Sequence, residues 1–175
     1  MWVFAYGSLM NDGWEKAHGC SRRIHATLAG FSRSFDKASV KNWGTKEHKA
    51  PTLRIVASNA SCSGIAFEFP EERRATVLSE LLMREGPTFP LKEQSVILTD
   101  GDKVIALVPI YEGRNIILEK DISKIAAMAI KARGTSGSCV DYVRDIANHL
   151  RASGINDPVV EDLRQEIEKQ LSTKG

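Results

Sequence analysis

The stretch Val3-Phe4-Ala5-Tyr6-Gly7-Ser8-Leu9 stands near the start of the chain and joins an apolar, strand-like segment to a Gly-Ser turn. A strand that ends in such a turn offers consecutive backbone N–H groups, because glycine admits backbone conformations that other residues avoid. Tyr6, Gly7, Ser8 and Leu9 can therefore form an anion cradle that needs no cationic side chain. A plain tight turn at a strand end explains the same residues, so the rest of the chain must decide between the two interpretations.

The composition indicates an ordinary globular protein. The 175 residues are 42% hydrophobic and 26% charged, and the formal net charge is +2. A chain of this length forms one domain with a substantial core by default, so we predict a single domain over residues 1–175. The nearly balanced charge says little about partners.

Targeting signals and membrane spans do not show in the sequence pattern. Residues 1–20 lack a basic start followed by a long apolar run. No stretch approaches the ~18 apolar residues that a membrane span needs. We therefore predict a cytoplasmic protein without a membrane partner.

The cysteines and histidines follow no metal-binding or disulfide pattern. The three cysteines are far apart in the sequence and are predicted to be reduced thiols: Cys20, Cys62 and Cys139. Cys139 has two interpretations, a nucleophile or a small buried or helix-terminal thiol, and the second is favoured. No metal site is predicted, because the four histidines lack the spacing of metal ligands: His18, His25, His48 and His149.

Short apolar or alternating runs in the first two thirds of the chain predict strands of an antiparallel sheet or small barrel. The predicted strands are 2–6, 24–31, 53–57, 64–69, 95–98 and 104–111. Between them, residues 31–54 carry an excess of lysine and arginine around Trp43-Gly44 and predict a polar basic loop.

Helices are predicted once within the strand region and again at the end of the chain. The first begins near Pro70-Glu71-Glu72 and ends at Gly86-Pro87. The others cover Asp121 to Arg133, Ser138 to Ser153, and a segment that begins at Asp157-Pro158. Strands first and helices last indicate an α+β domain with its helices on one side or end of the sheet.

Glu85 is the strongest single candidate for chemistry. Spacing places its carboxylate on the same helix face as Leu78 and Leu82. An apolar face and the negative end of the helix dipole both favour the protonated carboxyl, which suits a group that takes up and returns protons near neutral pH. The alternative is a solvated glutamate paired with Arg84 or Arg54.

The basic segment 31–54 allows a second class of function. Small β-barrels that bind nucleic acids stack bases on aromatic side chains beside basic residues, and Trp43 lies in this segment. The modest overall charge favours a solvated loop over that interpretation. Arg33 directly follows an apolar strand and is well placed to meet an anion near the turn.

Several short motifs, taken together, resemble the ChaC-type γ-glutamylcyclotransferases. The resemblance covers nearly the whole chain, with the motifs in the family's order. They are Tyr6-Gly7-Ser8-Leu9, Arg33-Ser34-Phe35 after Gly30-Phe31, Gly64 with Ala66-Phe67, Arg84-Glu85-Gly86, and the tail from Gly134-Thr135-Ser136-Gly137 through Tyr142 and Leu150 to Gly154-Ile155-Asn156-Asp157.

This resemblance implies a small mixed or antiparallel β-barrel with peripheral helices. It implies an enzyme that releases 5-oxoproline from γ-glutamyl compounds, in the ChaC type from glutathione with Cys-Gly as the other product. No metal or organic cofactor takes part. Tyr6, Gly7, Ser8 and Leu9 become the loop that binds the γ-glutamyl group, and Glu85 becomes the catalytic acid and base. Tyr142 matches a family tyrosine and is a further candidate for substrate contact, as is Arg33.

The implied partner is a small-molecule substrate. Two alternatives stay open, a non-catalytic member of the same fold that binds a γ-glutamyl or carboxylate ligand, and a small barrel that binds nucleic acid. The chain departs from the family pattern after Glu85, at Pro87-Thr88-Phe89-Pro90, and after the turn, at Met10-Asn11-Asp12.

Overall fold

Five strands close into a barrel in the order β1-β3-β2-β4-β5 in the computed structural model, which describes residues 1–173. β1 runs antiparallel to β3 and parallel to β5, so the barrel is mixed. The predicted α+β class with a small barrel and peripheral helices is confirmed. The barrel strands are β1 (Trp2–Ala5), β2 (Arg22–Ser39), β3 (Ala50–Glu68), β4 (Leu91–Leu98) and β5 (Lys103–Pro109), and two short strands, β6 (Arg133–Gly134) and β7 (Gly137–Ser138), form a separate sheet.

β1 is enclosed by its neighbours. Val3, Phe4 and Ala5 are at most 1% exposed, and the strand pairs with β3 on one edge and β5 on the other. Val3 to Ala5 therefore have no solvent-facing position, which explains the unbroken apolar sequence of this part of the strand. The chain therefore leaves the barrel at a fixed point, directly before Tyr6.

Three helix boundaries lie at the predicted capping residues. Gly86 caps one helix in a left-handed conformation, with φ of +73°. The side chains of Ser138 and Asp157 accept hydrogen bonds from the first backbone N–H groups of two others. The α-helices are α1 (Trp14–Ala17), α2 (Arg74–Glu85), α3 (Ile122–Lys131), α4 (Cys139–Ala152) and α5 (Pro158–Ser172). In contrast to the three capped boundaries, α2 begins at Arg74 and α3 ends at Lys131, two or more residues inside the predicted bounds, and the short α1 was not predicted. Among residues 1–173, none of them combines the length and apolar character that crossing a bilayer requires.

The chain forms two compact units. The first consists of Met1–Ser32 and Ile55–Gly113, and contains β1, β4, β5, α1, α2 and the adjoining parts of β2 and β3. The second consists of Arg33–Arg54 and Arg114–Gly175, and in it α5 packs against α3 and α4. The single domain over residues 1–175 stays a prediction.

The predicted loop over residues 31–54 is wrong. Residues 31–39 belong to β2 and residues 50–54 to β3, so only residues 40–49 connect the two strands. The polar composition was misleading because both arginines of the segment lie in strands and are paired with carboxylates. Arg33 bonds Asp157, which is 124 positions away, and Arg54 bonds Asp36. Pairing of this kind lets charged residues lie in a half-buried strand.

The two predicted strands at 53–57 and 64–69 are parts of one strand, β3, which has 19 residues. Between them, the small residues 58–61 continue the extended backbone, and the last three of them are exposed. Their exposure removed the alternation that marks a half-buried strand in a sequence.

We expect Gly64→Ala to lower the free energy of unfolding by about 1–3 kcal/mol, because the new methyl overpacks the contact between β3 and β1. The added Cβ would lie 2.3 Å from the Ala5 carbonyl oxygen and 2.7 Å from Cζ of Phe4. Urea denaturation measures the change. Ser61→Ala, at an exposed position of β3, is the control and should stay within about 0.5 kcal/mol of the wild type. Unchanged stability of Gly64→Ala would contradict a rigid β1.

Candidate active site

The loop that follows β1 is held in place at both ends. The buried Tyr6 side chain donates a hydrogen bond from its hydroxyl to the Pro109 carbonyl, at 2.7 Å. Ser8 to Met10 form a 3₁₀ turn closed by a bond from Met10 N to the Gly7 carbonyl at 3.0 Å. The first N–H groups of such a turn have no acceptor within it, so the amides at its start are aligned as donors. Leu9 is buried, and its carbonyl accepts a bond from Trp14 Nε1 at 3.0 Å.

Glu85 is the last residue of α2 and is half-buried. The buried residues of this helix are Val77 and Leu81, and Glu85 follows Leu81 by four positions, so it lies on the same face. The prediction that Leu82 shares the apolar face with Glu85 was wrong, because Leu82 is 54% exposed. Glu85 still stands at the apolar edge of the helix, as the sequence indicated.

The turn after Glu85 fixes where the helix ends. Gly86 N donates to the Leu82 carbonyl at 3.0 Å, and Phe89 N donates to the Gly86 carbonyl at 3.2 Å. The Phe89 ring packs against Tyr111 with centroids 5.1 Å apart. The residues that depart from the family pattern after Glu85 thus form a turn anchored beyond β5.

Arg84 joins the end of α2 to the segment that follows the Tyr6–Leu9 loop. Its Nη2 donates to Oδ2 of Asp12, and its Nη1 lies 3.9 Å from Oε1 of Glu80. The structure thus brings the segment after the loop and the residue beside Glu85 together within the first unit. Sequence reasoning missed Asp12, and the only signal was its place in the Met10-Asn11-Asp12 departure.

Arg33 and Tyr142 both lie in the second unit. Arg33 has no exposed side-chain surface, and its Nη1 donates to Oδ2 of Asp157 at 2.8 Å. The hydroxyl of Tyr142, a residue of α4, accepts a bond from Leu53 N at 3.1 Å, and its ring packs on Trp43 at 5.0 Å. Substrate contact by Arg33 and Tyr142 stays a prediction, and the structure gives each of them a packing role.

Asp36 and Arg54 form a two-bond ion pair in the second unit. Nε and Nη2 of Arg54 donate to the two carboxylate oxygens, at 2.6 and 2.9 Å. Burial alone would raise the pKa of Asp36, but the hydrogen bonds and charge of Arg54, with help from Ser34 and Lys120, hold that pKa below its usual value. The pair therefore stabilises the fold only while Asp36 is ionised.

The three cysteines are reduced, as predicted. Burial raises the pKa of Cys139 to about 12, so this thiol is protonated at neutral pH, and the interpretation as a buried thiol is confirmed. Within residues 1–173, no group of three or more histidine, cysteine, aspartate or glutamate side chains has the arrangement of a metal site.

Arg33→Leu should lower the free energy of unfolding by about 3–5 kcal/mol, because it leaves the Asp157 carboxylate without its charged partner in a largely buried position. Chemical denaturation gives the value. Arg114→Leu, at an exposed position of the same unit, is the matched control and should stay within about 0.5 kcal/mol of the wild type. A loss for Arg33→Leu no larger than the control's would show that the pair is dispensable.

Acid should remove the contribution of Asp36. The folded-state pKa of Asp36 lies below the unfolded one, so its contribution is present above about pH 4 and is lost as the pH falls through the folded-state value. Asp36→Asn should be less stable than the wild type at pH 7 and should lose less stability between about pH 5 and pH 2. Urea denaturation across this range tests it, with Asp162→Asn, an exposed residue of α5, as control. Equal pH slopes for Asp36→Asn and the wild type would contradict the assignment.

The chain is similar to known proteins both in sequence and in fold. A family model described as ChaC-like protein matches residues 1–170. Gamma-glutamylcyclotransferase 2-3 of Arabidopsis thaliana is 28% identical over 184 residues, covering 98% of this chain and 90% of that protein. Gamma-glutamylcyclotransferase 2-1 of the same plant is 24% identical, covering 98% and 83%. The solved yeast gamma-glutamyl cyclotransferase specific to glutathione shares the fold, with a TM-score of 0.82, 18% identity, and coverage of 97% of this chain and 96% of its own.

Proposed function

The chain belongs to the ChaC-like family, and we propose that it is a γ-glutamylcyclotransferase that cleaves glutathione or a related γ-glutamyl compound. The names of its Arabidopsis relatives and the substrate of the yeast protein of the same fold support this activity and substrate class. The observation that carries the proposed site is the bond between Arg84 and Asp12. It ties the helix end that bears Glu85 to the segment after the Tyr6–Leu9 loop.

The substrate supplies its own nucleophile. The α-amine attacks the γ-carbonyl carbon, a new C–N bond closes a five-membered ring, and the original amide C–N bond breaks. The products are 5-oxoproline and the departing amine, which is Cys-Gly when the substrate is glutathione. No water is consumed, and no serine or cysteine nucleophile is needed. The protonated, buried state of the Cys139 thiol is consistent with this chemistry.

The Tyr6–Leu9 loop holds the γ-glutamyl group in this proposal. Backbone N–H groups at the start of the 3₁₀ turn donate to the substrate and stabilise the oxyanion that forms as the ring closes. Because the reaction is intramolecular, bringing the amine to the carbonyl supplies much of the acceleration. The anchoring of Tyr6 and Leu9 keeps these donors in place before substrate arrives.

Glu85 moves the protons. Its carboxylate first takes a proton from the α-ammonium group, which frees the lone pair for attack, and later delivers a proton to the departing nitrogen. The α-nitrogen changes from an ammonium group to a lactam N–H and so gives up two protons, one before the attack and one as the ring closes. The departing nitrogen takes up both and leaves as an ammonium group, so the same carboxylate accepts and delivers a proton twice. A half-buried position at the end of α2 suits this exchange.

We further propose that the reaction proceeds without a metal or organic cofactor, since each step is a proton transfer or an exchange of C–N bonds. A cytoplasmic location is also proposed. Three reduced cysteines are consistent with a reducing compartment.

Incubation with glutathione should release 5-oxoproline and Cys-Gly, detected by mass spectrometry. Glu85→Gln should lower kcat by roughly 10²–10⁴-fold, because the amide can neither accept nor donate the transferred proton. Fold and substrate binding should be retained, measured by thermal unfolding and calorimetry. Glu72→Gln, at an exposed glutamate just before α2, is the control and should keep full activity.

Two outcomes would count against the proposal in different ways. Full activity in Glu85→Gln would place the acid and base elsewhere while leaving the activity intact. Absence of 5-oxoproline from both glutathione and simple γ-glutamyl amino acids would overturn the proposed function. Tight binding of glutathione without turnover would then identify a binding protein of the same fold.

A further inference from the structure

We infer that the ion pair between Asp12 and Arg84 is a positioning device that sets the Glu85 carboxylate against the Tyr6–Leu9 loop. This inference rests on the proposed function. Neither residue needs to touch the substrate, because Arg84 is the neighbour of Glu85 and Asp12 follows the loop by three positions. Both act through the residues they hold.

Asp12 connects two helices with its two carboxylate oxygens. Its Oδ1 accepts a bond from Trp14 N, at the start of α1, at 3.2 Å. Its Oδ2 accepts the bond from Arg84 near the end of α2. The preceding residues are also held, since Nη2 of Arg23 in β2 donates to the Met10 carbonyl at 3.2 Å and to Oδ1 of Asn11 at 2.7 Å. The segment after the loop is therefore fixed from β2, α1 and α2.

A second chain of contacts links the Tyr6–Leu9 loop to α2 and, like the Asp12 contact, ends at Arg84. Trp14 Nε1 donates to the Leu9 carbonyl, and the Trp14 ring packs on His18 with centroids 5.9 Å apart. His18 Nε2 lies 3.7 Å from Oε2 of Glu80, whose Oε1 lies 3.9 Å from Arg84. The contacts of this second route are longer than hydrogen bonds at its last two steps. The direct bond between Asp12 and Arg84 is therefore the main link.

Stability and catalytic rate should respond differently to loss of the ion pair, which distinguishes a positioning role from a structural one. The side chains of Arg84 and Asp12 are 28% and 32% exposed, and ion pairs this accessible contribute little to stability because water competes for both charges. Catalysis is far more sensitive, since a small displacement of a proton-transferring group slows the reaction steeply. Loss of the pair should therefore slow turnover much more than it lowers the melting temperature.

The test is a double-mutant cycle on the purified protein with glutathione as substrate. Asp12→Asn keeps an acceptor oxygen for Trp14 N and removes the charge, and Arg84→Gln removes the other partner. Each variant should lower kcat by about 10-fold or more with KM within about threefold of the wild type. The double variant should lose no more than the worse single variant, because both changes remove one interaction. The melting temperature should stay within about 3 °C of the wild type.

Charge reversal and a matched control sharpen the result. The exchange Asp12→Arg with Arg84→Asp should recover part of the kcat that either reversal alone removes. Arg22 and Asp100 form a comparable ion pair in the same unit, with side chains 40% and 35% exposed. Asp100→Asn keeps its oxygen available to Asp102 N and should leave kcat unchanged.

Several results would overturn the inference. One is full kcat in Asp12→Asn with a large loss in Arg84→Gln, which would place Arg84 on the substrate. Additive losses in the double variant would be another. Hydrogen exchange at the amides of residues 7–10 and 82–86 gives a readout that needs no turnover and should be faster in Asp12→Asn. If the wild type releases no 5-oxoproline, the proposed function fails. Hydrogen exchange in Asp12→Asn that equals the wild type's would show, independently of turnover, that the ion pair does not hold the loop and the end of α2 in place.

Discussion

The enclosure of β1 between two paired strands is the constraint on which the rest of the site depends. Val3, Phe4 and Ala5 are almost without exposed surface, and both edges of the strand are hydrogen-bonded. Moving the strand by one residue would place its side chains on the opposite faces, so its register is strongly specified. The loop that starts at Tyr6 therefore begins from a fixed point, and this fixes the position of its backbone N–H groups.

The site depends on two classes of interaction, the burial of apolar side chains and polar contacts near the surface. Burial of apolar side chains such as Phe4 and Leu81 contributes about 1.5–3 kcal/mol each and holds the barrel and α2 together. The partly exposed ion pair of Asp12 and Arg84 contributes about 0–1 kcal/mol. Weak contacts of this kind set alignment rather than stability.

Much of the fold and part of the site could be predicted from local signals. Gly86, Ser138 and Asp157 mark helix ends because capping depends on neighbouring residues. Residues 31–54 were misjudged because charges that suggested a solvated loop are paired in the strands, Arg33 with the distant Asp157 and Arg54 with Asp36. Asp12 was missed because its partner, Arg84, is 72 positions away in the sequence. Short-range patterns carry no information about such pairs.

The sequence by itself determined the class of the fold, the positions of its later helices, the family, and the two candidate parts of the site, the Tyr6–Leu9 loop and Glu85. Each of these follows from local periodicity, capping chemistry or short motifs. Only the tertiary structure decided which face of α2 is buried, which charges are paired, and that Arg84 meets Asp12. Those outcomes depend on chain closure around the barrel, because distant residues acquire their neighbours only when the strands have paired.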